Sequence, residues 1–330
     1  MAVPRLVIPH NRVCLRREDG YAVEGVVRSG QIGQGPHVAF FEDELAERFR
    51  PGGEAVCVSS GTAALRLASY VCDSALWTVS TYACVALFHA LSDNQTVVEP
   101  IDCRADTLDA PAADVVVHTY GVPCPVAPDR IEDFTHAPGA TVDGKPCGSM
   151  GALSVISFGA TKPLGCGVGG AALGPRDLIE TIRDMRDYDG KREFRARFNW
   201  QASEFAAALG RRRLARLDEE NAWRREVGER YAEACRANGI AMYGGPGSTF
   251  YRFVIRVPDT EKARAHFAAH GVETICPLER WELLHVQLGQ EGEFPNAEDA
   301  AVHALSLPIW PGMQESEVAR VVEALKELTP

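Results

Sequence analysis

Ala55-Val56-Cys57-Val58-Ser59-Ser60-Gly61-Thr62-Ala63-Ala64-Leu65 opens with an apolar β-rich run and closes as a small-residue helix. Between them stand two serines, a glycine and a threonine. A helix that begins there offers free N–H groups and hydroxyls, a cup for an anion; an ordinary N-cap is the plainer reading of the same residues. The pattern repeats on either side. Pro36 opens a helix through Val38, Phe41, Leu45 and Phe49 that Pro51-Gly52-Gly53 ends. Further strands are predicted at 76–79, 96–99, 114–119, 130–133 and 153–158, with helices at 61–70 and 82–91. The strands are nearly continuous apolar runs, as expected where helices cover both faces of a parallel sheet. The expected class is a doubly wound α/β fold, with ligands at the carboxyl ends of the strands.

After Gly174-Pro175 the pattern changes. Helices are predicted at 176–187, 203–237, 260–270, 297–305 and 315–328, with strands at 251–257 and 272–276. This divides the chain into a large domain, 1–217, and a smaller α+β domain, 218–330. The loop 277–296 is long enough to border a site.

Composition narrows the class. Apolar residues make up 46% of the 330, and charged residues 24%, which fits a globular protein and excludes a disordered one. No run reaches the roughly 18 apolar residues of a membrane span, and no signal peptide is legible. The net charge of −11 argues against nucleic-acid binding. Ten scattered cysteines contain no C-x-x-C pair and read as small buried hydrophobes of a reducing cytoplasm. His266 and His270 stand i, i+4 without an acidic residue between them or a third ligand, so no metal centre is expected. The segment 183–216 holds ten basic against five acidic residues, read as helix-surface charge or a rim that attracts anions.

Two further strand ends carry chemistry. Ser157-Phe158-Gly159-Ala160-Thr161-Lys162 puts a lysine after an apolar strand. It is either a surface lysine at a turn or one whose amine burial keeps neutral enough for Schiff-base formation. Ile131-Glu132-Asp133-Phe134-Thr135-His136 puts a carboxylate where it could hold a heterocyclic N–H, or merely cap a turn. Gly165-Cys166-Gly167-Val168-Gly169-Gly170 matches G-x-G-x-x-G, but it leads into a short strand after the main run of units, so a dinucleotide site is rejected. In order, an anion cup, a strand-end aspartate and a lysine are what pyridoxal phosphate (PLP) requires. The phosphate, the pyridine nitrogen and the aldehyde each find a partner.

With these residues in place, the sequence resembles the sugar-aminotransferase family of fold-type I PLP enzymes, the DegT/StrS type. The likeness runs from Ser29-Gly30-Gln31-Ile32-Gly33-Gln34-Gly35-Pro36 through the three stretches above. It continues in Ser80-Thr81-Tyr82, His118-Thr119-Tyr120-Gly121, Phe198-Asn199, Ser203-Glu204-Phe205 and Leu305-Ser306-Leu307-Pro308. It implies a large domain with a mostly parallel sheet covered by helices and a smaller C-terminal α+β domain. It implies that Lys162 joins the PLP aldehyde and shuttles a proton, with pyridoxamine phosphate as the intermediate cofactor form. Asp133 would pair with the ring nitrogen; Gly61, Thr62 and Ser157 would hold the phosphate. Tyr82 would stack on the ring, and His136 stands where such enzymes usually carry Gln. Asn199 would reach a phosphate in the neighbouring subunit of a homodimer with shared active sites. His118, Tyr120, Tyr251 and Arg252 are substrate-side candidates.

The chain departs from that pattern in places. Segments 102–115 and 121–131 are too short for the usual crossover helices, so the large domain is trimmed. Gln201 stands for Arg, Ala206 for Gln, Val168 for an acid, Tyr251 for His, and the usual His-Tyr-Pro segment reads Ile275-Cys276-Pro277. The implied activity is amino transfer from a donor such as L-glutamate to a keto group on a nucleotide-linked sugar or similar polyhydroxy ring. Relatives that dehydrate keto-sugars carry histidine in place of the lysine, so Lys162 argues against that reaction. A non-sugar substrate stays open, as does a PLP-fold binding or regulatory protein without turnover. A nicotinamide dehydrogenase would rest on the glycine run alone.

Overall fold

The computed structural model describes residues 7–92 and 96–329. Five strands come first: β1 (Glu54–Val58), β2 (Leu76–Ser80), β3 (Val97–Ile101), β4 (Val115–Val117) and β5 (Ile131–Asp133). A ribbon of β6 (Thr141–Val142) and β7 (Lys145–Pro146) follows, then β8 (Leu153–Ser157) and β9 (Gly170–Gly174). The main sheet has seven strands in the order β1-β9-β8-β5-β4-β2-β3, and β9 alone runs against the other six.

Successive strand residues face opposite sides, and the two faces carry separate cores. On one side Val56, Val79, Val115 and Val155 pack with Ala64, Leu67 and Ala68 of the helix Gly61–Cys72. On the other, Cys57, Ile156 and Leu173 pack with Val38, Phe41, Leu45 and Phe49 of the helix Pro36–Phe49. Complete burial of one such leucine stabilises by about 1.5–3 kcal/mol. The connections after β3 and β4 contain no α-helix, as their length predicts. Coil replaces it on the second of these, where Cys124 and Val126 cover Val116.

The smaller sheet is antiparallel, β10 (Ala241–Tyr243), β11 (Phe253–Arg256) and β12 (Ala304–Leu307), in that order. Its core joins Tyr231, Phe253, Ile255, Phe267, Leu305 and Val321. Ile8 is buried in the same core, and the Trp310 indole donates to the Pro9 carbonyl (3.1 Å), so the first described residues sit with this second body. A division at 217/218 falls at the start of the helix Leu217–Ala237; Leu217 packs in the first body and Tyr231 in the second.

Several elements differ from expectation. The predicted helix 203–237 is two helices, Glu204–Ala215 and Leu217–Ala237, broken at Arg216 (φ −112°, ψ 8°). That guanidinium turns to Asp19 (2.6 and 2.7 Å) and Glu220 (2.9 Å). The helix predicted at 82–91 starts only at Ala86, and the one at 297–305 runs Pro295–His303 before β12 begins. Residues 272–276 form only two isolated bridges, to Ile8 and Ser306. The helix Arg17–Ser29 has no counterpart among the predicted elements. All ten cysteines are free, and no helix among the described residues is long and apolar enough to cross a membrane.

Candidate active site

A cavity of about 450 Å³ opens at the carboxyl ends of β2, β4, β5 and β8, the edge where α/β sheets bind ligands. Gly61, Thr62, Tyr82, Tyr120, Asp133, His136, Ser157, Lys162, Tyr251 and Arg252 all line it. A larger groove of about 680 Å³ between the helices Pro36–Phe49 and Glu204–Ala215 shares none of these residues; side chains such as Arg211 and Glu44 pair across it.

Asp133 closes β5 and accepts a hydrogen bond from the Thr135 amide (2.9 Å). Burial pushes its carboxyl above the usual range, against the Thr135 donors and the Lys162 ammonium, which favour the anion. A buried carboxylate held this way suits a cationic ring nitrogen. Thr135 also links strands: its hydroxyl accepts from the Ser157 amide (3.0 Å).

Beyond β8 a tight turn aims the lysine. The Lys162 amide donates to the Gly159 carbonyl and Gly165 to that of Lys162, both at 2.8 Å. The Lys162 Nζ lies 2.9 Å from His136 Nε2. Burial, together with the Lys162 and Arg252 charges, holds His136 well below its ordinary range, so the ring is neutral and accepts from the ammonium. His136 stacks on Tyr251 (centroids 4.3 Å, 19°), fixing the ring plane. Tyr120 donates to the Tyr82 hydroxyl (3.0 Å) on the neighbouring wall.

At the far end Ser60 caps the helix Gly61–Cys72, its hydroxyl accepting from the Ala63 amide (3.0 Å). The positive end of that helix faces the cavity through Gly61 and Thr62. Only glycine fits at 61: a Cβ would stand 2.6 Å from that of Ser157. His136 Nδ1 and Arg252 Nη1 are buried without partners. A phosphate-bearing pyridine aldehyde therefore fits the groups present: N–H donors at the helix end, an accepting carboxylate at Asp133 and an amine at Lys162.

Two candidates lie elsewhere. His118 is buried and does not line the cavity; its Nε2 sits 2.9 Å from Glu132 Oε1, and the Cys124 amide donates to its Nδ1 (3.1 Å). It cannot touch substrate, which corrects its assignment to the substrate side. The cause is strand alternation: Asp133 faces the cavity, so Glu132 and its partner face away. His118, Glu132 and Cys147 are the one group among the described residues whose potential metal-ligand atoms lie within 4.8 Å. Glu132 is already filled by His118, Ser154 and the amides of Gly148, Met150 and Gly151. Asn199 is exposed and lines no part of its own chain's cavity; it bridges to Asp187. The loop after 276 does border the site, through Pro277, Leu278, Trp281, Glu282 and Gln287. Thr119 and Thr135 also line the cavity, and sequence reasoning missed them; their position just past an apolar strand was the available signal. Gly165–Gly170 leads into β9 rather than a helix, against a dinucleotide site.

A strand-end lysine facing a buried aspartate over a glycine-opened helix, in a sheet with one reversed strand, defines a fold-type I PLP-dependent enzyme. Comparison with known proteins carries this further. The profile of the DegT/DnrJ/EryC1/StrS aminotransferase family matches residues 13–326. A dTDP-3-amino-3,4,6-trideoxy-alpha-D-glucose transaminase of Streptomyces venezuelae is 29% identical, over 95% of this chain and 92% of its own. The crystal structure of S. venezuelae DesV in complex with a ketimine intermediate superposes with a TM-score of 0.87 at 26% identity, covering 97% of this chain and 98% of that one. AtS13 of Actinomadura melliaura gives 0.87 at 27%, covering 99% and 100%. The chain belongs to the DegT/DnrJ/EryC1/StrS aminotransferase family and is a PLP-dependent aminotransferase.

Proposed function

We propose that this aminotransferase takes the amino group of L-glutamate and delivers it to a keto group on a nucleotide-linked sugar, acting as a cytoplasmic homodimer with shared active sites. The support is the kind of relative it has, among them dTDP-aminosugar transaminases and a GDP-perosamine synthase. The observation that carries the reading is Lys162 Nζ inside one cavity with Asp133 and Ser157.

Bound PLP supplies an electron sink and an amine carrier. Lys162 would hold its aldehyde carbon, and its Nζ would carry a proton when free. His136 accepts a hydrogen bond at that nitrogen and keeps it oriented. Asp133 would keep the ring nitrogen protonated. Gly61, Thr62 and Ser157 would hold the phosphate, Tyr82 would lie against the ring, and Asn199 would reach the phosphate of the neighbouring subunit. Arg252, with its free Nη1, offers a cation to a substrate carboxylate or diphosphate, flanked by Tyr120 and Tyr251. The large and small domains meet at 217/218. The test follows 2-oxoglutarate formed from glutamate with nucleotide-linked keto-sugars, keto-cyclitols and simple aldehydes as acceptors. Turnover with a keto-sugar, abolished in Lys162→Ala and Lys162→Arg, is expected. Turnover retained in either variant, or acceptance of aldehydes alone, overturns the reading.

A further inference from the structure

The helix Leu217–Ala237 carries a buried arginine with unpartnered N–H groups. Arg224 is 5% exposed, and neither its Nε nor its Nη1 has a hydrogen-bond partner. The buried carboxylates nearby are taken. Glu220 accepts from Arg213 Nη2 (3.0 Å) and Arg216 Nε (2.9 Å), and Asp19 accepts from both terminal nitrogens of Arg216. Three buried guanidiniums thus share two buried carboxylates, and Arg213 Nε is unpartnered as well. Burial pushes Arg224 down to about 10, against the attraction of the Glu220 carboxylate and with Arg213 adding to the fall, so it stays charged at neutral pH. The cluster therefore holds one buried cation more than its buried carboxylates balance, and a buried charge left without a partner is strongly destabilising.

The space for it is present. A cavity of about 20 Å³ is walled by Arg224, Arg213, Cys14, Thr161, Lys162 and Tyr251 among others. About 10–15 Å³ admits one water-sized particle, so the cavity has room for one monatomic ion or one water. Water satisfies N–H groups but not a net charge. We propose that a single halide ion, chloride in solution, binds here against Arg224 and Arg213, on the side of the Lys162 turn away from the cofactor cavity. The ion balances the buried cluster and ties the N-terminal segment at Cys14 to the turn that aims the lysine. This inference does not depend on the identity of the amino acceptor.

The PLP-loaded full chain is crystallised with sodium bromide, and its melting temperature is compared in sodium chloride and sodium gluconate of equal concentration. An anomalous bromide peak in the cavity of Arg224 is expected. So is a melting temperature higher by about 2 °C at chloride ten-fold above its dissociation constant. Arg224→Met loses the chloride-specific shift; the bromide measurement on the unaltered protein needs no variant. An empty or water-filled cavity together with equal melting temperatures in the two salts overturns the proposal. So does tyrosinate absorbance in halide-free protein at neutral pH, which makes Tyr251 the counter-ion instead.

Discussion

Replacement of Gly61 by alanine sets two effects against each other. Alanine is favoured over glycine within a helix by up to about 1 kcal/mol, and Gly61 is the first residue of the helix Gly61–Cys72. Against this, the added Cβ would stand 2.6 Å from Ser157 Cβ, 3.0 Å from its Oγ and 3.1 Å from its Cα. The obstacle includes backbone of β8, which is paired on both sides and cannot retreat freely. Overpacking of this kind costs about 1–3 kcal/mol, so with the full helix gain Gly61→Ala is destabilised by up to about 2 kcal/mol net. It also displaces the Ser157 hydroxyl, so PLP affinity falls by ten-fold or more. Gly159→Ala is the control, since its Cβ would meet Ser157 Oγ at 3.6 Å and Lys162 Cγ at 3.7 Å, ordinary contacts. Its stability should change by less than about 0.5 kcal/mol. Calorimetry of both variants and absorbance titration with PLP read the result. Gly61→Ala with unaltered melting temperature and PLP affinity would refute the steric reasoning.

Arg216→Met strands Asp19 without its partner, and removal of one member of a buried pair costs about 3–5 kcal/mol; urea unfolding should show a loss of that size, and a loss under about 1 kcal/mol contradicts it. Arg197, against slight burial and helped by Lys191 and Arg195, holds the Asp184 carboxyl down at about 2. A depressed carboxyl contributes stability above its unfolded value and loses it as pH falls through the folded one, so this contribution fades between about pH 4 and 2. Asp184→Asn should flatten the pH dependence of unfolding in that window; an unchanged slope speaks against the cluster. Mixed dimers of Lys162→Ala and Asn199→Ala chains should keep one intact site and about half the PLP binding, whereas uniform loss contradicts sharing across the interface.

Much of the site was legible because strand ends are legible. Apolar runs ending at Asp133, Ser157 and Lys162 bring those residues to one edge once the strands are parallel. The resemblance alone suggests His118 for the substrate side; the pairing with Glu132, which faces away from the cavity, is invisible in the sequence because adjacent residues of a strand point to opposite faces. The basic segment 183–216 reads as surface, yet Arg186, Arg213 and Arg216 are buried on Glu42, Glu220 and Asp19. Glu42 and Asp19 lie far away in sequence, so no local pattern announces them. The break at Arg216 is hidden for the same reason: no glycine or proline marks it, and a distant ion pair stabilises it. Ala304–Leu307 is a short apolar run that a helix would also accept, and its pairing with β11 settles it as strand.

The central claim is a covalent one, and reduction tests it most directly. Borohydride treatment of the PLP-loaded protein, followed by digestion and peptide mass spectrometry, should place the phosphopyridoxyl group on Lys162 with loss of the visible absorbance band. A reduced adduct on another lysine, or none with PLP still bound, would contradict the account.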